Sequence, residues 1–222
     1  LPFAHSPPRA KLPGGLDWTE AGVGGAAFGN HIFDLTVDVG KGNPGAIGID
    51  YLANNNGNIR NVKIISSDQG YIGLAFTRFY PGPAFIKNVI IEGFDYGIKS
   101  EIIQTITTLE HITLKNQKIA GIHNTGHSFA IRDLQSEQTE NSVPAIITVG
   151  FITLVDDTLK GSSPQSAIDN RQPGDIFVRN IAASGYSSAL KNNGSVIPGT
   201  SINEFYSLQV DSTYAYSLFN TP

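Results

Sequence analysis

The chain has 222 residues, of which 40% are hydrophobic and only 15% charged, against roughly 25% charged in an average globular protein. A net charge of −4 and a pI near 5.7 argue against a nucleic-acid partner, which requires concentrated Lys and Arg. The absence of cysteine excludes disulfides and thiolate metal sites, and no run of 18 apolar residues could span a bilayer. The 24 glycines and 12 prolines are typical of a chain that turns often and forms few helices.

Residues 1–30 are rich in proline and glycine and follow no repeat, which predicts an irregular N-terminal segment or cap. No methionine starts the chain, and Leu1 to Gly15 contains no charged segment followed by an apolar core. We therefore expect that any signal peptide has been removed, and that the chain follows a processing boundary or is a fragment of a longer protein.

From residue 31 a phrase of the form apolar–x–polar–apolar recurs. Its first residues lie 27, 27, 23, 22, 24 and 23 positions apart, and its copies begin at Ile32, Ile59, Ile86, Leu109, Ile131, Val155 (a weaker copy) and Val178. A second phrase, a small residue followed by an aliphatic one, runs in step with it. Its aliphatic members are separated by 25, 24, 24, 24, 22 and 22 residues: Ile49, Leu74, Ile98, Ile122, Ile146, Ile168 and Leu190.

Two registers with one period predict a solenoid, because each interval holds short strands and turns but no crossover helix. Segments such as residues 35–39 alternate apolar and polar residues, as half-buried strands do. We predict an all-β fold, a right-handed single-stranded parallel β-helix of about seven coils of 22–27 residues, over residues 31–195. Residues 196–222 lack the repeat and are predicted to form a C-terminal strand or loop that covers the last coil.

The polar third position of the first phrase predicts a structural column. Asn and Asp tolerate left-handed backbone and bond nearby amides, which suits the corner of a coil better than a ligand site. The column is Asp34, Asn61, Asn88, His111, Asp133, Asp157 and Asn180. By the same logic Asn124, Asn170 and Asn192, each two residues after the aliphatic of the second phrase, predict an internal asparagine stack.

Carboxylates outside that column are the candidate catalytic groups. The alternation of residues 35–39 and the inward direction expected for Ile47 and Ile49 predict that Asp38 and Asp50 face out. They flank the loop at residues 40–44 and could approach each other as the acid and base of glycoside hydrolysis. The alternative is that they are two unrelated surface aspartates in contact with solvent. Other acids on the middle coils are Glu92, Asp95, Glu101, Glu110 and Glu137.

His123, His127 and Arg78 complete the groups suited to proton transfer or carboxylate binding, and none has a diagnostic spacing. Motifs of zinc proteases, serine hydrolases and nucleotide-binding proteins are absent, so no cofactor and no metal is predicted. Lys99 and Lys115 are expected to be exposed.

One connecting stretch is unusually aromatic, which suits stacking on sugar rings or, equally, a loop that buries its own rings against the solenoid wall. Arg78 and a Pro-Gly-Pro turn at residues 81–83 lie within it. Its aromatic residues, with neighbours from adjacent coils, are Tyr71, Phe76, Phe79, Tyr80, Phe85, Tyr51, Phe94 and Tyr96.

Several of these phrases together resemble secreted proteins of the pectate-lyase-like superfamily, in the subgroup labelled glycoside hydrolase family 55-like. The matching phrases are residues 43–55 with 59–62, 81–83 with 86–89, 92–98, 110–114 and 121–124, and the similarity covers about residues 28 to 205. The opening Gly-Ala-Lys-Gly-Asp-like motif and the additional N-terminal β-helical segment of larger relatives are not found here. The resemblance does not identify the catalytic glutamate of the glucanases with any residue of this chain.

The resemblance implies an extracellular, carbohydrate-active protein whose partner is a polysaccharide rather than nucleic acid or membrane. The leading hypothesis is a glycoside hydrolase-like protein acting on a β-glucan or a related polysaccharide. Its candidate catalytic residues are Asp38, Asp50 and Glu110, and its candidate substrate-binding residues are Arg78, Tyr80, His123 and Tyr51. A non-catalytic polysaccharide-binding or structural solenoid is the main alternative, with a further β-helical segment or a second copy as partner. A polysaccharide lyase, which would need clustered aspartates for Ca²⁺, is the third.

Overall fold

The computed structural model describes residues 27–53, 55–78, 81–101 and 106–207. These residues form twelve strands and no helix, and hence contain no helix able to span a membrane. The strands are β1 His31–Asp38, β2 Ile47–Asp50, β3 Gly57–Phe76, β4 Ala84–Ser100, β5 Ile106–Lys115, β6 Ala120–Asn124, β7 Ser128–Asn141, β8 Ile146–Thr148, β9 Ile152–Asn170, β10 Ile176–Asn192, β11 Ser195–Ile197 and β12 Ser201–Tyr206.

The strands stack in parallel from one coil to the next. One series runs β1-β3-β4-β5-β7-β9-β10, and a second passes through β2, β3, β4, β6, β8, β9 and β10. The result is a parallel β-solenoid of about six turns, which confirms the predicted fold and comes close to the predicted seven coils.

Each coil has three strand segments, as the long strand β3 illustrates. Residues 57–60 form the first segment, 62–66 the second and 70–76 the third. The first corner lies at Asn61, whose φ is 54°, and the second lies where the pairing of β3 with β4 shifts register between Ile65 and Gly70.

The aliphatic residues of the second phrase form the buried column that the sequence predicts. Each pairs with its counterpart one coil away, from Ile49 with Leu74 through to Ile168 with Leu190. All are buried. Complete burial of a Leu or Ile side chain contributes roughly 1.5–3 kcal/mol, so this column is a main source of stability. Ile47, predicted to point the same way, packs instead against a separate cluster of Tyr71, Ile72 and Ala75.

The small residues that precede this column are explained by the close approach of neighbouring coils. A Cβ atom added to Gly97 would lie 2.6 Å from the backbone oxygen of Gly121 in the next coil. Only a very small residue is therefore accommodated here, which accounts for the second phrase.

The predicted corner column adopts left-handed backbone, with φ between 54° and 61° in every coil. Its side chains bond along the solenoid: Asn61 Nδ2 donates to Asp34 Oδ1 over 2.7 Å, and Asn88 Nδ2 to Asn61 Oδ1 over 3.0 Å. One member of the prediction is wrong. The corner residue of the sixth copy is Asp156, because the phrase there begins at Leu154 and puts Asp157 in the following, buried position.

The internal asparagine stack is present, with serine and threonine completing it. Its rungs pair in the order Ser100, Asn124, Thr148, Asn170 and Asn192. Hydrogen bonds join most of them; for example, Asn124 Nδ2 donates to Thr148 Oγ1 over 3.1 Å and Asn170 Nδ2 to Asn192 Oδ1 over 2.7 Å.

The two ends of the described solenoid differ. At one end β11 and β12 both pair antiparallel with β10, which covers its outer edge. At the other end β1 pairs with β3 alone among the described strands, and Leu35 is 42% exposed although its counterparts Val62 and Val89 are buried.

Truncation within the buried column should cost far more stability than truncation outside it. Ile98→Ala and Ile122→Ala should each lower the free energy of unfolding by about 2–5 kcal/mol, through lost burial and the cavity left behind. Lys160→Ala, at an exposed side chain, should cost less than roughly 0.5 kcal/mol. Chemical denaturation measures both, and equal losses would contradict the assigned inward face.

Candidate functional site

One row of side chains runs along the solenoid axis, one residue after the buried column. Its members pair from coil to coil in the same strands, and we call it the outer row: Asp50, Ala75, Lys99, His123, Ile147, Asp169 and Lys191. Successive residues of a strand point to opposite sides, so this row faces away from the buried column, although Ala75 and Lys99 are themselves covered by neighbouring side chains. Its rungs are about 4.8 Å apart, the usual spacing of paired strands.

The outer row begins with an ion pair between two predicted site residues. Arg78 Nε donates to Asp50 Oδ2 over 3.0 Å, and both side chains are substantially exposed. They line a pocket on the first coil, together with Tyr51 and His31.

Tyr51 is a wall of that pocket rather than an exposed platform. It is only 2% exposed, its hydroxyl donates to the backbone oxygen of Asn30 over 2.8 Å, and its ring meets Phe76 edge-on. Burial raises the pKa of the Tyr51 phenol to about 12, so the phenol stays protonated.

Two rungs along the row, Lys99 stands at the centre of a polar and aromatic cluster. Its Nζ donates to the hydroxyl of Tyr71 over 2.9 Å and to Glu101 Oε1 over 2.7 Å. The ammonium also lies 5.1 Å from the ring centroids of both Tyr71 and Tyr96. The residue is 8% exposed, so the expectation that Lys99 is an exposed side chain is wrong.

Lys99 keeps its charge despite this burial. Burial alone would lower the pKa of the ammonium, but the hydrogen bonds with Glu101 and Tyr71 outweigh it and the pKa is raised. A cation–π contribution of about 0.5–2 kcal/mol from the rings adds to the stabilisation. Lys99 is therefore a fixed cation and not a base at neutral pH.

His123 extends the cluster by one rung. Its ring stacks on that of Tyr96, with centroids 5.4 Å apart and planes 19° from parallel, and its Nδ1 is buried without a hydrogen-bond partner. Burial, followed by the positive charges of Lys99 and Arg171, lowers the pKa of His123, so the imidazole is neutral at pH 7. We call Tyr71, Tyr96, Lys99, Glu101 and His123 the lysine cluster.

Further along the row, Asp169 binds Arg171 through one carboxylate oxygen, at 2.8 Å from Nε and 2.7 Å from an η nitrogen. Lys191 Nζ lies 3.7 Å from the other oxygen. The cations of the outer row and its immediate neighbours thus each face a carboxylate, as Arg78 faces Asp50 and Lys99 faces Glu101.

The other candidate residues lie away from the outer row. Asp38, in a second segment, pairs with Ile65 and accepts a hydrogen bond from the backbone N–H of Gly40 over 2.8 Å. Glu110, in a first segment, binds Lys87 Nζ at 3.0 Å, and this hydrogen bond lowers the pKa of the carboxyl. Tyr80 lies outside the described residues.

The three predicted catalytic carboxylates therefore occupy three different segments of the coil, and each has its own partner. The fold brings Asp50 and His123 onto one row, with Arg78 beside it. This arrangement was not predicted from the sequence. Lys99 was missed, although it follows its column aliphatic by one residue, as Asp50 and His123 do. That shared offset was the signal available.

The free energy of unfolding should depend on pH through the neutral imidazole of His123. The folded protein holds the pKa of His123 below its ordinary value of about 6.5, so the unfolded chain binds the proton more readily. The stability contribution of the neutral ring is complete above about pH 6.5 and is lost as the pH falls below it. Urea unfolding at a series of pH values should show a shallower acid loss in His123→Gln than in the natural chain, and parallel curves would contradict this assignment.

In the part of the chain that the structure describes, no group of three or more His, Asp or Glu side chains could hold a metal ion. Comparison with protein-family models, curated proteins and solved structures finds no match to this chain.

Proposed function

We propose that this chain is an extracellular carbohydrate-active β-helix that binds a polysaccharide along the outer row. The observation that carries the proposal is the lysine cluster, in which stacked Tyr96 and His123 rings lie beside a fixed Lys99–Glu101 ion pair. The resemblance of the repeat phrases to secreted polysaccharide-active β-helices supports the same substrate class.

The chemistry of the cluster suits a sugar. The apolar face of a sugar ring packs on aromatic side chains, and the half-buried Tyr96 and His123 offer such a surface. Hydroxyl groups of a sugar both donate and accept hydrogen bonds. The carboxylate of Glu101 accepts them, and a neutral imidazole both donates and accepts.

The geometry of the outer row suits a chain molecule rather than a single small ligand. Polar positions recur from Asp50 and Arg78, through Lys99 and His123, to Asp169, at multiples of the coil spacing of about 4.8 Å. A polysaccharide lying parallel to the solenoid axis would meet the exposed Asp50–Arg78 pair and then the lysine cluster, where Glu101 and His123 rather than Lys99 are accessible.

Hydrolysis is the second candidate activity, and the presence of two carboxylates on one side of the coil favours it. Asp50 belongs to the outer row, and Glu101 binds Lys99 two coils further on, about 10 Å away at the level of the strands. Inverting glycosidases hold their carboxyl groups about 6.5–9.5 Å apart and retaining enzymes about 5–5.5 Å, so this spacing lies at the upper limit of the inverting range and does not fit a retaining mechanism. Asp38 and Glu110 have no place in this version of the hypothesis.

Retention on immobilised polysaccharides tests the binding proposal. Tyr96→Ala should weaken retention about tenfold, which corresponds to about 1.4 kcal/mol of lost stacking and contact area. Phe151→Ala, at an exposed aromatic residue in another part of the coil, is the matched control and should bind as the natural chain does. Failure to bind any glycan, or equal losses in both variants, would overturn the proposal.

Release of reducing sugar from the same panel distinguishes hydrolysis from binding alone. Asp50→Asn should abolish release with little change in melting temperature, because the side chain is exposed and keeps its shape. Asp38→Asn and Glu110→Gln should retain release, since both residues lie on other segments. Retention without release by the natural chain would leave a binding protein, and loss of release in Asp38→Asn would restore the carboxylate pair predicted from the sequence.

A further inference from the structure

Asp157 places a carboxyl group where the other coils bury an aliphatic side chain. The position follows the left-handed corner, and its occupants in the other described coils are Leu35, Val62, Val89, Ile112, Leu134 and Ile181, all of them buried except Leu35 at the end of the described solenoid. Asp157 is 1% exposed and pairs with Ile181 on β10. A carboxyl among aliphatic residues is costly when it is ionised, because burial removes its hydration.

The strand pairing is interrupted at the same place. Between β7 and β9 the paired residues run from Arg132 with Val155 directly to Gln135 with Thr158, so Leu134 and Asp157 do not pair as backbone. Instead the N–H of Leu134 donates to Asp157 Oδ1 over 2.7 Å. The other oxygen, Oδ2, is buried and has no hydrogen-bond partner.

The charged groups around Asp157 disfavour its ionisation. The negative charges that act on Asp157 are those of Asp133 on β7 and Asp156 on β9. Among the described residues, no cation bonds to Asp157 itself. The neighbouring cation and histidine are already engaged, since Arg132 faces Asp156 and His111 faces Asp133. On β10, Asn180 bonds to Asp156.

These influences act in one main direction. Burial raises the pKa of Asp157 to about 8, the hydrogen bond from Leu134 opposes the shift, and the charges of Asp133 and Asp156 add to it. In solution an aspartate ionises near pH 4.

We propose that Asp157 is a proton-binding site inside the solenoid, which holds β7 and β9 together when protonated and lets this rung open when it ionises. The direction follows from linkage: the closed rung binds the proton more tightly than the opened one. The contribution of the protonated carboxyl to closure of the rung is complete below about pH 4 and weakens as the pH rises towards 8. Over that range the equilibrium constant for opening the rung increases by up to about tenfold per pH unit. This one rung is thereby most tightly closed in an acidic medium.

Hydrogen exchange at the amide of Leu134 tests this proposal, because that N–H is bonded to the carboxyl in question. After correction for intrinsic exchange, protection in the natural chain should fall as the pH rises from 5 to 8. In Asp157→Asn it should stay nearly constant, since an amide oxygen still accepts from Leu134 and does not ionise. Asp34→Asn, at the exposed corner of the first coil, is the control and should keep the natural slope.

A second variant keeps the proposal testable if Asp157→Asn does not fold. Asp133→Asn removes a neighbouring negative charge, so its loss of protection should level off at a lower pH than in the natural chain. Protection independent of pH in the natural chain would overturn the proposal, as would the same pH slope in Asp157→Asn or an unchanged curve in Asp133→Asn.

Discussion

In-register hydrogen bonding between successive coils decides where every side chain of this solenoid lies. A residue on a middle strand has its counterpart from the previous coil on one side and from the next coil on the other. Aliphatic columns therefore form at no electrostatic cost, whereas like charges on neighbouring rungs would repel. The chain meets this condition by placing opposite charges on adjacent rungs, as with Glu137, which lies between Lys115 and Lys160.

The same constraint explains how much of the fold follows from the sequence. A period repeated in two phrases is sufficient to predict the column from Ile49 to Leu190, because in-register stacking converts equal spacing into spatial neighbours. The left-handed corners were predictable for a local reason, namely the tolerance of Asn and Asp for positive φ. The sixth corner was misplaced by one residue since Asp156 and Asp157 both match a polar corner, and only burial distinguishes them.

The candidate site was less accessible to sequence reasoning. Whether Asp38 and Asp50 share a face depends on where the coil bends between its second and third segments, and the bend near residues 66–69 carries no signal in the repeat. Lys99 was expected to be exposed because lysine usually is, but Tyr96 from the same coil and Tyr71 from the preceding coil enclose its ammonium. Such enclosure depends on side chains two dozen residues apart, which local patterns do not encode.

The antiparallel strands on β10 have a consequence for how this chain could change in length. A whole coil duplicated in the interior, for example between β4 and β5, would find parallel partners in the correct register on both sides. A coil added after β10 would first have to displace β11 and β12, which occupy its hydrogen-bonding edge in the opposite direction. Repeat expansion in evolution is thus open to the middle of the solenoid and closed at the edge of β10, so a longer descendant would keep β11 and β12 on its last coil.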